Sequence, residues 1–171
     1  LHESRNTIFK LSLLFTLDAF GGGFVIQSII AYWFHIRFQL DPAMIGTIFL
    51  FANLLAGVSA LAAGWLARRI GLINTMIFTH LPSNVLLCVV PLMPTLESAV
   101  AVLLVRFSVS QMDVPTRQSY TMAVVRPEER SAAGGVTGIA RSVGAAISPS
   151  LAGPMLASAS LLSLPFFIAG G

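Results

Sequence analysis

The chain has 171 residues, 56% of them hydrophobic and only 10% charged, where an ordinary soluble domain carries about 25% charged residues. At a mean hydropathy of +0.84, a water-soluble globule of this length is excluded, because its surface would lack polar cover. The net charge of +3 comes from basic residues set singly or in pairs, without a basic stripe or interleaved aromatics, so nucleic acid is not a partner; the single cysteine, Cys88, excludes an internal disulfide and a cysteine-held metal.

The pattern reads as an all-α membrane protein: five complete transmembrane helices at residues 8–34, 43–67, 72–91, 97–125 and 132–157, then the start of a sixth at 161–171, in one transmembrane domain spanning 1–171. Each uncharged core is long enough for the hydrocarbon slab at about 1.5 Å per residue. Only helices and closed barrels satisfy the backbone in lipid, and continuous apolar runs exclude a barrel, whose strands alternate. A signal peptide is excluded, since the first run is too long, contains Asp18 and precedes further spans. The first residue, Leu1, and the short closing run give the expectation of a fragment cut at both ends.

The first span carries Asp18 and, one turn on, the triplet Gly21-Gly22-Gly23, which lets the helix unwind or a neighbour approach closely. A lone carboxylate in low dielectric is penalised when charged, which suits a proton carrier; the alternative is pairing with an arginine, Arg106 or Arg141. Gln27, further along, is a candidate for a polar ligand or for a bond to a neighbouring helix. Asp41 and Pro42 open the second span, with proline suited to the first helical position. That span is uncharged, has Ala52, Ala56, Ala60 and Gly64 at i+4 spacing, and closes on Arg68 and Arg69. Asn53 on the same span reads as a bond to a neighbouring helix.

The third span holds His80 and Asn84, four apart and facing one way, which reads as hydrogen bonding to adjacent helices. With no second histidine or acid at ligand spacing, no metal is expected. The fourth span holds Arg106, Ser110, Asp113 and Arg117 at spacings of 4, 3 and 4, hence on one helical face. A charge deep in lipid costs about 2.5–3.5 kcal/mol on insertion scales, so this face must look into protein or a wet cavity. It is a candidate substrate or proton-coupling site; the competing reading is that Asp113 and Arg117 form a structural i,i+4 pair. The polar segment Arg126-Pro127-Glu128-Glu129-Arg130 precedes the fifth span as a helix start. That span carries a stripe of small residues, Gly134, Gly138, Ala145, Ser148 and Ala152, with Arg141 among them, a surface for close helix packing.

Basic loop residues alternate in position. Arg5, Lys10, Arg68, Arg69, Arg126 and Arg130 stand on one side and Arg37 alone on the other, so the residue 1 end is expected in the cytoplasm. No hydrolase constellation and no phosphate-cradling glycine loop is visible, so neither an enzyme nor a cofactor is expected.

The turn Gly64-Trp65-Leu66-Ala67-Arg68-Arg69-Ile70-Gly71 resembles the G-x-x-x-D-R-x-G loop signature of the major facilitator superfamily, which lies between helices two and three of each six-helix half. Arg68 stands where that family has its acid, a weaker form more usual in the second half. Arg106 in the fourth span and the run from Gly144 through Pro149 to Gly153 and Pro154 are similar to the family's fourth and fifth helices. Residues 13–23, 79–84 and 111–117 look like the C-terminal half of a bacterial branch.

The resemblance covers essentially the whole chain. It implies half of a twelve-helix fold, a bacterial inner (plasma) membrane location, the missing N-terminal six-helix half as partner, and secondary transport of a small solute by alternating access. Proton coupling is the expected drive. It also implies that the first and fourth helices line the cavity, that the second and fifth, including Gly134, Gly138, Arg141, Gly144 and Pro149, meet the other half, and that the third lies outermost. A non-transporting receptor or assembly factor on the same scaffold is the alternative.

Overall fold

The computed structural model describes residues 4–158 and 161–170; Ala159 and Ser160, expected at a break, and Gly171, expected to end the sixth span, lie outside them. Among the described residues there are helices and no strands: α1 (Arg5–Gly23), α2 (Gln27–Phe38), α3 (Pro42–Ile70), α4 (Leu72–Val89), α5 (Leu96–Ser110), α6 (Asp113–Val124), α7 (Arg130–Leu156) and α8 (Leu164–Gly170), with 3-10 turns at Val90–Leu92 and Pro127–Glu129. Among the described residues three helical stretches are long and apolar enough to cross a bilayer: Arg5–Phe38, Pro42–Ile70 and Leu72–Leu92.

Local chemistry accounts for the helix ends. Asp41 caps α3, its carboxylate accepting from the Met44 N–H at 2.8 Å, with Pro42 at the first helical position. Thr95 caps α5 in the same way through the Ser98 N–H, and Glu97 lies in the first turn. α3 stops at Gly71, whose φ of 86° and ψ of 161° belong to glycine's region, and the Gly71 N–H bonds back to the Ala67 carbonyl at 2.9 Å.

Two stretches expected as single helices are broken. The first parts after Gly23, where Phe24 and Val25 donate to Gly21 and Gly22 in a tightened turn before α2 begins. The second parts at Gln111 and Met112, between α5 and α6. Pro115 has no N–H, and its ring would strike the Gln111 carbonyl in a continuous helix. Pro82 in α4 and Pro149 and Pro154 in α7 leave their helices unbroken.

α1 and α7 form the most extensive helix pair, and their contact is backbone-close. A Cβ on Gly144 would collide with the Thr16 carbonyl, and one on Gly23 would lie 2.8 Å from Ser148 Cβ and 2.9 Å from the Ala145 carbonyl. Thr16 donates to the Ala140 carbonyl at 3.1 Å, and the Ser148 hydroxyl to Phe20 O. The small residues of α7 are thus spent partly on α1, within this half of the expected fold. Elsewhere Trp33, Phe34, Phe49, Leu87, Leu103 and Phe166 close one apolar core among α2, α3, α4, α5 and α8. Outward, Leu50, Leu54, Val58, Leu61 and Trp65 leave one side of α3 bare, an apolar face suited to lipid or another membrane helix.

Candidate functional site

Five ionisable side chains from four helices meet beside the first helix break. Arg117 on α6 donates from Nη1 to Asp18 Oδ2 on α1 at 2.7 Å and pairs through Nη2 with Asp113, one turn earlier on its own helix. Arg141 on α7 reaches the same Asp18 oxygen at 3.4 Å. His80 on α4 stands between the carboxylates, Nε2 3.3 Å from Asp18 Oδ1 and Nδ1 3.6 Å from Asp113 Oδ2. Asp113 and Arg117 are buried, whereas Asp18, His80 and Arg141 are partly open. The Arg117 guanidinium also lies over the Phe15 ring at 5.5 Å. Two arginines against two carboxylates satisfy the charge that burial would otherwise penalise.

The cluster lines one cavity, and two of its arginines also border a second. One, of about 670 Å³, is bounded by the broken segment from Leu17 to Ile26, by His80, Ser83 and Asn84 of α4, by Arg106 and Ser110 of α5, and by residues of α6, α7 and α8. The other, of about 840 Å³, lies among α1, α6 and α7 and takes in Phe15, Gln118, Met122, Arg130, Gly134 and Gly138. Val114, Arg117 and Arg141 border both.

The break between α5 and α6 does not scatter the polar face, since Arg106, Ser110, Asp113 and Arg117 all border the smaller cavity. Arg106 differs from its neighbours. Its Nε is buried without a hydrogen-bond partner, as is the Ser110 hydroxyl one turn on, and its guanidinium lies 5.6 Å from the Phe107 ring centroid. Of the two arginines expected as alternatives for pairing with Asp18, Arg141 reaches it and Arg106 does not, and Arg117 lies nearer still. Arg141, on the helix expected to meet the other half, turns inward to Asp18.

Gln27 is the exposed first residue of α2 and borders neither cavity, and Asn53 is exposed on α3. Gly64, Arg68, Arg69 and Gly71 lie away from the site at the α3–α4 turn, where Arg69 stacks over Trp65 at 5.2 Å. Gly144 is packed against α1, and Pro149 lies within α7.

His80 is the site residue that sequence reasoning missed. Its signal was present, an ionisable group within an apolar span, but its partners sit on other spans and nothing in the local pattern joins them. Among the described residues no group of three His, Cys, Asp or Glu side chains is placed to hold a metal.

A family model described as Major Facilitator Superfamily matches residues 3–171. The protein "Uncharacterized membrane protein YJR124C" of Saccharomyces cerevisiae (strain ATCC 204508 / S288c) is 24% identical over 169 residues. The match covers 98% of this chain and 38% of the yeast protein, so the chain spans well under half of that relative's length. No solved structure matches.

Proposed function

The chain belongs to the Major Facilitator Superfamily, and from that premise we propose that it forms one six-helix half of a secondary transporter, the C-terminal one, moving a small solute by alternating access. Five complete spans and the beginning of a sixth fit the helix order, with α1–α2 and α5–α6 each a single discontinuous span. The partner half belongs to a longer protein, in a plasma membrane, which for a bacterial member is the inner membrane. The residue 1 end and the Arg68 and Arg126 loops face the cytoplasm, because arginine and lysine gather there.

The observation that carries this reading is a cluster of paired charges that lines one cavity and, through two arginines, borders a second. Arg117 and Arg141, both held by Asp18, border each of them. A barrier made of exchangeable ion pairs between four helices has two discrete arrangements, closed and parted, as alternating access requires. Discontinuous helices beside a polar cavity are the usual seat of such sites.

Proton coupling is the second part of the proposal. Asp18 and Asp113 face one imidazole, His80, which donates from one nitrogen when neutral and from both when protonated. A proton gained or lost there changes how tightly α4 holds α1 and α6. Uptake or efflux by the full-length protein with Asp18→Asn and with Arg106→Ala tests the whole reading. Both variants should lose transport while remaining in the membrane, and wild-type flux in both would remove the site. A receptor or assembly role would instead leave the polar face of α5 and α6 dry and closed to water-soluble reagents.

A further inference from the structure

We propose that the smaller cavity binds a small organic anion, a carboxylate, and that Arg106 with Ser110 is its receptor; this rests on the transporter reading of the same cavity. The first support is charge. The described residues bordering the cavity include three arginines, Arg106, Arg117 and Arg141, against two carboxylates, Asp18 and Asp113. Both carboxylates are engaged by Arg117, and Asp18 also by Arg141. Arg106 is therefore the surplus positive charge, and one negative charge on a solute neutralises it.

The second support is hydrogen bonding. Arg106 Nε and Ser110 Oγ are buried polar atoms that no group among the described residues satisfies, and they lie one turn apart on the same wall. Buried donors left unpaired are costly, and a guanidinium edge beside a hydroxyl matches the two oxygens of a carboxylate. The guanidinium carbon lies 5.6 Å from the Phe107 ring centroid.

The third support is the first helix break. Val25 and Ile26 border the cavity, and Ile26, at the cap position of α2, has no side chain to satisfy the first N–H groups of that helix. The positive end of α2 thus adds to the field that favours an anion there.

The full-length protein in lipid nanodiscs is titrated with carboxylates from lactate to benzoate and citrate, each against its neutral amide at constant ionic strength, reading thermal midpoint and intrinsic fluorescence. At least one carboxylate should stabilise the protein where its amide does not. That effect should weaken about 10- to 100-fold in Arg106→Gln, as for loss of a hydrogen bond to charge, and less in Ser110→Ala, which keeps the charge and guards against a folding defect in the first variant.

No carboxylate outperforming its amide, or a response unchanged in Arg106→Gln, overturns the proposal; the former is the result expected if an acid elsewhere in the full protein pairs with Arg106. Flux in proteoliposomes separates this from the parent reading. Transport of neutral solutes only, unaffected by Arg106→Gln, removes the anion site and leaves transport. An Arg106-dependent carboxylate response without any flux leaves the site and removes transport.

Discussion

The imidazole of His80 lies 3.3 Å from Asp18 by one nitrogen and 3.6 Å from Asp113 by the other, bridging α1 and α6 from α4. Arg117 and Arg141 complete its charged surroundings. A neutral ring can donate to one of the two carboxylates, and a protonated ring to both. Flux by the wild-type transporter should therefore depend on pH. Substituting glutamine, which donates from one end and never ionises, should leave a flat profile, measured as initial uptake at fixed membrane potential. A His80→Gln profile that follows the wild-type curve would assign the pH response elsewhere.

Asp113 and Arg117 are buried together on α6. Removing one member of a buried pair strands the other charge, at a cost of about 3–5 kcal/mol, whereas removing both is much cheaper. Asp113→Asn and Arg117→Gln should each lower the thermal midpoint of the purified full-length protein sharply. The double variant should fall short of their sum, because the two sites couple. Additive losses would mean that the pair contributes little.

Gly144 is where α1 and α7 touch through backbone, at the Thr16 carbonyl, whereas Gly138 on the same helix faces open space. Gly144→Ala should destabilise by about 1–3 kcal/mol, the usual range for overpacking. Gly138→Ala should be neutral or slightly stabilising through helix propensity. Thermal unfolding of the two variants side by side distinguishes them. Equal effects would place the close approach elsewhere on α7.

Gly71 adopts a backbone conformation that a side chain strains. Gly71→Ala should cost about 1–3 kcal/mol and loosen the turn that joins α3 to α4. Arg68→Ala should be milder, since the Arg68 side chain is exposed. Thermal midpoints of both variants measure the difference, and a larger loss in Arg68→Ala would reverse their ranking.

Much of the helix layout was legible, because apolar runs and Asp41-Pro42 mark ends through chemistry local to them. The break after Gly23 was half legible, as glycine permits unwinding without requiring it. The break at Gln111 was signalled by Pro115, four residues on, yet the polar face of residues 106–117 reads equally well along an unbroken helix. The i,i+4 pairing of Asp113 with Arg117 follows from helix periodicity alone. Asp18 with Arg117, and His80 with both aspartates, are products of tertiary packing, which brings four separated helices together. The small-residue stripe of α7 announced close packing but not its partner, and part of it is taken by α1.

The central claim is that the face carrying Arg106, Ser110, Asp113 and Arg117 borders water. The direct measurement is thiol modification of Ser110→Cys in the full-length protein, with Cys88 and any other cysteines replaced, using a membrane-impermeant reagent applied to each side in turn. The reagent should label Ser110→Cys from at least one side, while Leu61→Cys on the bare side of α3 stays unlabelled. No labelling of Ser110→Cys from either side, in a protein that still folds and inserts, would contradict the claim.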